Sequence, residues 1–357
     1  MKKLLILSSL LIMSFALVAC GDNNTETDGP RIAVLINGNL GDKSFFDSAN
    51  AGMDDVIDTY GYDVRVVEAG TDDTRWQPAL LDLAEGDYDI IIAGTWQMEQ
   101  NVQEAAALHP DKNFIIFDTT VDYSDGKNSN VYSIMYKQNE GSYLAGIVAA
   151  TMSETGVIGA VGGIDIPVIN DFIVGYIQGA QSVNPDIKVA ISYIGDFFDS
   201  AKGKELALAQ FDSQNADVIF QIAGNAGLGV IEASEEAGFL AIGVDSDQAM
   251  IFDEEGRTTV ANQIPTSVLK DVGASLKRAI DLNETDEVPW GQVEEVGIAE
   301  GSVGIARNKY FEELVPSDII PLLEEAEDAI ISGEIVVQSA FGLTQDELET
   351  LRESVRP

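Results

Sequence analysis

The chain has 357 residues, with 60 acidic and 20 basic side chains and a formal net charge of −40. A field of that sign repels nucleic acid and anionic lipid head groups, so neither is an expected partner. The sequence has one cysteine, Cys20, and one histidine, His109, so disulfides, zinc–thiolate sites and serine–histidine catalysis are not expected, and no metal or cofactor is predicted.

The first twenty residues have the anatomy of a secretory signal peptide. Lys2 and Lys3 precede an apolar run over residues 4–17, which is shorter than the roughly twenty residues that a transmembrane helix needs. The tetrapeptide Leu17-Val18-Ala19-Cys20 closes the run and resembles a bacterial lipobox, in which the cysteine is lipidated after cleavage. We predict a signal peptide over 1–19, then lipidated Cys20 and a flexible tether over 20–30. The alternative is a soluble secreted protein in which Cys20 is incidental.

Short apolar strands alternate with amphipathic helices from residue 31 onward. The strand segments of the first half are 32–35, 64–67, 90–92 and 114–117. They are rich in Val and Ile at consecutive positions, the pattern of strands buried on both faces. A helix is predicted to begin near Ser44, because one apolar stripe contains Phe46, Ala49, Met53, Val56, Ile57 and Tyr60. The alternation predicts an α/β fold with parallel sheets.

The second half of the chain repeats the order of the first. IAVLINGN, YDVRVVEAGT, YDIIIAGT and FIIFDTTVD are followed by IGAVGGID, IKVAISYIGDFFD, ADVIFQIAGN and LAIGVDSDQ. Each fourth strand ends on an aspartate, Asp118 and then Asp245. We predict two similar doubly wound parallel-sheet lobes joined by a hinge. The expected N-terminal lobe comprises 31–136 plus about 264–290, and the C-terminal lobe 137–263 plus about 291–357.

Polar residues and glycines follow the predicted strands in both lobes, at 37–39, 93–95, 162–165 and 223–225. Parallel open sheets bind ligands beyond the carboxyl ends of their strands. The two sets of ends would therefore line one cleft between the lobes. An exported, membrane-tethered protein of this kind is typical of a solute receptor, and we do not predict an enzyme.

Two loops place aromatic pairs between acids at the same face. They are DKSFFD at 42–47 and DFFDSAKGK at 196–204. Such rings leave apolar surface exposed unless something covers it, and a flat ligand between two rings would do so. The alternative is that these phenylalanines pack beneath their own loops. Phe46 in particular continues the apolar stripe of the first helix and is a core candidate.

A set of stretches in fixed order extends these observations: DKSFFDSA, PDKNFIIFD, QNEGSYLAGIVAA, GGIDIPVINDFIVGYIQGA, FFDSAKGKELA, ADVIFQIAGNAGLGVIEA, IGVDSDQ and TSVLKDV. Over about residues 31–306 the chain resembles the basic membrane protein lipoproteins, also called the purine nucleoside receptor family. The resemblance implies a type I periplasmic-binding-protein fold. It also implies delivery of purine nucleosides, or related compounds, to an ABC importer.

The resemblance implies contacts to the base at three positions of this chain. The base would lie between Phe45 and Phe197, and Asp118 would bond its edge. Asp42 would lie beside the first ring.

Contacts to the sugar are implied in the same way. Asp245 and Lys270 would hold the ribose hydroxyls, and Gly224 or Gly227 would let the backbone approach the ligand closely. Lys270 could instead be an ordinary solvated lysine on an amphipathic helix, since residues 267–282 read as one amphipathic stretch.

Two positions depart from the family pattern. Phe46 stands where the family often has an asparagine that helps to read the base, and Phe198 replaces a usual small polar residue. Base selectivity is therefore open. Trp96 could add another flat surface or could serve packing alone.

The resulting prediction is a lipid-anchored, extracytoplasmic, monomeric substrate-binding protein at the cell membrane that binds a nucleoside, expected to be a purine. Its partners would be an ABC permease and ATPase, with the lipid anchor as its only membrane contact. A receptor for a sugar, a flavin-like ring or another aromatic metabolite stays open. A nucleoside hydrolase is a further alternative, using carboxylate pairs such as Asp42 with Asp118, or Asp245 with Asp247.

Overall fold

The computed structural model describes residues 29–357, so the predicted signal peptide and Cys20 lie outside the described residues. The strands of this part are β1 (Ile32–Ile36), β2 (Val64–Glu68), β3 (Ile90–Gly94), β4 (Asn113–Phe117), β5 (Val131–Tyr136), β6 (Val157–Gly162), β7 (Lys188–Tyr193), β8 (Val218–Ile222), β9 (Leu240–Asp245), β10 (Thr266–Lys270), β11 (Gln292–Val296) and β12 (Val303–Ile305).

The α-helices of the same part are α1 (Phe45–Tyr60), α2 (Trp76–Glu85), α3 (Glu99–Leu108), α4 (Gln138–Met152), α5 (Pro167–Val183), α6 (Ser200–Gln214), α7 (Gly224–Ala237), α8 (Gln248–Glu254), α9 (Thr258–Ala261), α10 (Val272–Glu284), α11 (Lys309–Leu314), α12 (Ile320–Ile331) and α13 (Gln345–Val355). Across residues 29–357, no helix is both long and apolar enough to cross a membrane.

The strands form two six-stranded sheets with the same layout. The sheet of the N-terminal lobe has the order β11-β5-β4-β3-β1-β2, and that of the C-terminal lobe has β12-β10-β9-β8-β6-β7. Every pairing is parallel except that of β10 with β12. The order of the strands in one sheet therefore repeats in the other, which confirms the predicted pair of doubly wound lobes.

The first half of the chain follows its predicted pattern closely. The four predicted strands coincide with β1 to β4 within two residues, and α1 begins at Phe45, directly after Ser44. β1 and β3 are buried along their whole length. β2 is only partly buried, because it lies at the sheet edge and pairs with β1 alone.

The lobe boundaries differ from the prediction in two segments. β10 lies in the C-terminal sheet, although 264–290 was assigned to the N-terminal lobe, and β11 lies in the N-terminal sheet. The chain thus crosses after β5, between β10 and α10, and between β11 and β12. The amphipathic stretch 267–282 is a strand followed by a helix. Only the helix, α10, packs on the N-terminal lobe, where Gly273 meets Gly52 of α1 so closely that a Cβ on Gly52 would lie 2.3 Å from the Gly273 carbonyl oxygen.

Candidate functional site

A cavity of about 330 Å³ lies between the carboxyl ends of the two sheets. Its N-terminal-lobe wall comes from residues that follow β1, β3 and β4, such as Asn37, Thr95 and Asp118. Its C-terminal-lobe wall includes Asp245 and Lys270, which end β9 and β10. This is the edge at which open parallel sheets bind ligands.

Lys270 stands between the aspartates of both lobes. Its Nζ donates a hydrogen bond to Asp118 Oδ1 over 2.9 Å and lies 3.9 Å from Asp245 Oδ1. The side chain of Lys270 is only 4% exposed. A buried ammonium needs such partners, because leaving water without them costs several kcal/mol. Lys270 therefore lines the cavity and is not a solvated surface lysine.

Aromatic rings enclose the rest of this ammonium group. Nζ of Lys270 lies 4.8 Å from the ring centroid of Phe45, 5.1 Å from that of Phe172 and 5.7 Å from that of Tyr136. These distances allow cation–π attraction. Tyr136 is the last residue of β5, and Lys270 is the last residue of β10. Lys270 comes one position after Leu269, which lies opposite Asp245. In the other lobe Phe117 lies opposite Ile134, so Tyr136 likewise comes one position after the residue beside Asp118.

The strand-end aspartates adopt an unusual backbone conformation. Asp118 has φ 64° and Asp245 has φ 63°, and Thr95, also at the cavity, has φ 72°. Non-glycine residues occupy this left-handed region at a cost of about 1–3 kcal/mol, and they cluster at functional sites. Burial raises the pKa of both aspartates, although Lys270 lowers it in part.

Asp42 caps the first helix of the N-terminal lobe. Its carboxylate accepts hydrogen bonds from the backbone N–H groups of Ser44, Phe46 and Asp47, over 3.0, 2.9 and 3.1 Å. Burial nevertheless raises the pKa of Asp42 to about 6. Asp42 thereby fixes the loop that carries Phe45 into the cavity.

The four phenylalanines of the two loops all line the cavity. Phe45 packs edge-on against Phe46 with centroids 5.2 Å apart. Phe197 packs against Gly163 within the C-terminal lobe, where a Cβ on Gly163 would lie 2.3 Å from the Phe197 ring. Phe46 also contacts the hydrophobic core, so the two roles considered for it are both geometrically available. Phe198 is 44% exposed.

The two predicted glycines differ in position. Gly224 lines the cavity with φ 52°, a conformation that favours glycine. Gly227 does not line it. A Cβ on Gly227 would lie 1.7 Å from Gln221 Oε1, so this glycine makes room for a buried glutamine, and its prediction as a ligand contact has no geometric support. Trp96 lies at the rim, 49% exposed.

Sequence reasoning assigned no individual contact to three residues of the site, although the segment 37–39 was expected to line the cleft. Asn37 is 3% exposed, and its Oδ1 has no hydrogen-bond partner while its Nδ2 donates to Thr95 Oγ1. Phe172 on α5 lines the cavity, but its sequence pattern is that of a core residue. Ser44 is fully buried and donates from Oγ to Asp245 Oδ2 over 2.5 Å. Only Asn37 carried a signal, since it follows a strand.

Within residues 29–357, no group of three or more histidine, cysteine, aspartate or glutamate side chains is arranged to hold a metal ion.

Comparisons with known proteins agree with this geometry. The family model for PnrA-like ABC transporter substrate-binding proteins, Bmp, matches residues 30–340. Basic membrane protein A of Borreliella burgdorferi is 30% identical over 343 residues, which are 95% of this chain and 96% of that protein. The ABC transporter nucleoside-binding protein BmpA of Lactococcus lactis is 33% identical over 263 residues, which are 71% of this chain and 72% of that protein.

A solved structure adds the fold. An ABC transporter solute-binding protein from Aeropyrum pernix has a TM-score of 0.78 and 25% identity, covering 92% of this chain and 100% of that one. The family match, together with the two-lobed fold and its interlobe cleft, identifies a substrate-binding protein of an ABC transporter. The chain belongs to the basic membrane protein family of PnrA-like substrate-binding proteins.

Proposed function

We propose that this protein is a lipid-anchored extracytoplasmic receptor that binds a purine nucleoside between its lobes and passes it to an ABC permease and its ATPase. The observation that carries the ligand class is one cavity lined by an aromatic ring from each lobe, Phe45 and Phe197, together with Asp118, Asp245 and Lys270. Flat rings suit a base, and carboxylates with an ammonium suit ribose hydroxyls. The relative from Lactococcus lactis described as nucleoside-binding supports the same class.

The charge around the cavity favours a nucleoside over a nucleotide. Four aspartates line it, against the single basic side chain of Lys270. A phosphate group would meet mainly like charge at short distance, in surroundings where water screens poorly. The ligand we propose is therefore uncharged.

Phe46 stands where the family often has a base-reading asparagine, and Asn37 can make the base contact that this asparagine would make. Its buried Oδ1 is an acceptor without a partner at the cavity, and an unpaired buried acceptor costs about 1–3 kcal/mol. A donor on the base edge would satisfy it. We assign base reading to Asn37 together with Asp118, whose Oδ1 already accepts from Lys270.

Native mass spectrometry of protein purified without added ligand tests the proposal. The expected result is a bound mass equal to that of a purine nucleoside. Calorimetric titration should then rank adenosine, guanosine and inosine at least tenfold above ribose, riboflavin and adenosine monophosphate. A co-purified sugar or flavin, or preference for either in the titration, would contradict the nucleoside assignment.

Hydrolysis is separated from binding by a second measurement. Adenosine incubated with the protein should be recovered intact, as judged by chromatography of the free base. Release of adenine, absent in a parallel sample without protein, would favour the hydrolase alternative.

A further inference from the structure

The strand-end aspartates of the two lobes are each bonded by the opposite lobe. Asp118 of the N-terminal lobe accepts from Lys270 of the C-terminal lobe. Asp245 of the C-terminal lobe accepts from Ser44 of the N-terminal lobe, over 2.5 Å. These reciprocal bonds can exist together only when the lobes are closed on each other.

Further contacts surround Ser44 on the same side of the cleft. The hydroxyl of Ser246 donates to the Ser44 carbonyl oxygen over 3.2 Å. Gln248 Nε2 donates to the Lys43 carbonyl oxygen over 3.2 Å, and the Lys43 ammonium pairs with Glu255. Two consecutive residues of one lobe thus contact the other lobe at Asp245, Ser246, Gln248 and Glu255.

The N-terminal-lobe side of these contacts is held by hydrogen bonds within its own lobe. Lys43 has φ 52°, and its backbone N–H donates to Asp47 over 2.8 Å. The N–H of Ser44 donates to Asp42 over 3.0 Å. These bonds within the lobe fix the turn whose carbonyl groups accept from Ser246 and Gln248.

The C-terminal-lobe side is equally fixed. Gln248 is fully buried, and its Oε1 accepts from Gln221 Nε2 over 2.7 Å and from the backbone N–H of Val244 over 3.1 Å. Its Nε2 is thereby oriented towards Lys43. Contacts between two preorganised surfaces lose little conformational entropy when they form.

We propose that Lys43 and Ser44 form a latch that holds the lobes closed, and that Ser44 is a positioning residue that orients Asp245 in the closed form. The proposal rests on the proposed function, since the role of the latch is to retain the bound nucleoside. Opening removes the Ser44 donor from Asp245, so the grip on the ribose weakens as the cleft opens. A ligand and the latch each stabilise the same closed state.

Ser44→Ala tests the latch, with Ser48→Ala as its control. Ser48 lies in the first turn of α1, four residues after Ser44, but its Oγ accepts from the backbone N–H of Gly273 within the N-terminal lobe. Stopped-flow tryptophan fluorescence, to which Trp96 at the cavity rim contributes, should show adenosine leaving Ser44→Ala about tenfold faster than wild type. The association rate constant should change less than about threefold, because a bond to a charged acceptor contributes to retention. Ser48→Ala should match wild type.

A second pair of variants opens the latch without touching the cavity. Glu255→Lys places like charges on the two lobes opposite Lys43, whereas Glu254→Lys makes the same charge change on the exposed neighbouring position. The first should raise the adenosine dissociation rate constant several-fold and enlarge the ligand-free radius of gyration in X-ray scattering. The second should do neither. This pair decides the proposal if Ser44→Ala does not fold.

The two proposals fail in different ways. If wild type does not bind adenosine or any other nucleoside, the proposed function fails, and the ligand-free radius of gyration of Ser44→Ala and Glu255→Lys still decides the latch. If wild type binds adenosine, but both variants match wild type in dissociation rate and radius of gyration, the latch is wrong and the receptor assignment stands.

Discussion

Replacing Lys270 by methionine would remove the ammonium from the centre of the cleft while keeping an unbranched side chain of similar length. Nζ lies 2.9 Å from Asp118 and 3.9 Å from Asp245, and the three side chains are between 4% and 11% exposed. Without Lys270 two carboxylates stay buried with no opposite charge. Breaking such a buried pair costs about 3–5 kcal/mol, so we expect Lys270→Met to lose about that much stability at pH 7.

The loss should depend on pH in a defined direction. Burial already raises the pKa of Asp118 and Asp245, and removal of the ammonium raises it further. A carboxyl group whose pKa rises on folding favours the folded state below its unfolded pKa, and that stabilisation disappears as pH rises through the folded pKa. The difference between variant and wild type should therefore shrink as pH falls from about 7 towards about 4, the pKa of an unfolded aspartate.

Urea unfolding at several pH values, followed by fluorescence, measures this effect. Lys277→Met is the matched control, because Lys277 pairs with Asp281 on one face of α10, with side chains 22% and 44% exposed. Exposed pairs contribute about 0–1 kcal/mol. If Lys270→Met loses no more stability than Lys277→Met at pH 7, the buried charge cluster does not have the energetic role assigned to it.

Phe197→Ala should weaken adenosine binding at least tenfold in calorimetry, because base–aromatic stacking contributes about 1–3 kcal/mol; unchanged affinity would refute the stacking assignment. Phe46→Asn should change the ranking of adenosine, guanosine and inosine more than total affinity, whereas a purely structural Phe46 would lose stability in melting curves with the ranking unchanged. A hundredfold excess of adenosine over its dissociation constant should stabilise the fold by about 2.7 kcal/mol in urea unfolding, and no stabilisation would argue against nucleoside binding. Cys20→Ser should release the protein into the medium, as seen by fractionation, because two acyl chains on one cysteine make a durable anchor; membrane retention of the variant would contradict lipidation.

Much of the fold could be predicted because strand burial and helix periodicity are local properties of the sequence. β1 and β3 are apolar at nearly every position and buried throughout. The repetition of strand order placed Asp118 and Asp245 at strand ends, and the structure brings both to one cavity. That inference needed only alternation and the geometry of parallel sheets.

The lobe exchange of β10 and β11 could not be predicted in the same way. β11 has the sequence QVEEV and is mostly exposed at a sheet edge, so it has no apolar run to mark it. β10 is directly followed by an amphipathic helix, and together they read as one helical stretch. Which sheet a strand joins depends on pairing partners far away in sequence.

The contacts across the cleft could not be predicted from the sequence either. Ser44 and Asp245 are 201 residues apart, and a serine beside a helix start is expected to cap that helix. In the structure Asp42 accepts the N–H groups of the first turn, which leaves the Ser44 hydroxyl for the other lobe. The position of Gly227 outside the cavity lining was hidden for a related reason. The residue it packs against, Gln221, lies within the preceding strand and gives no sequence signal of this contact.

The matching positions of Tyr136 and Lys270 give the cleft a polarity. The two lobes repeat each other in strand order, and both deliver an aspartate to the centre, but only one of the corresponding strand ends carries a cation. A perfectly repeated pair of lobes would offer an elongated ligand two equivalent ways to lie. The single lysine makes the two ends of the cleft different, so we expect the proposed ligand, with one hydroxyl-rich end and one flat end, to bind in one direction only.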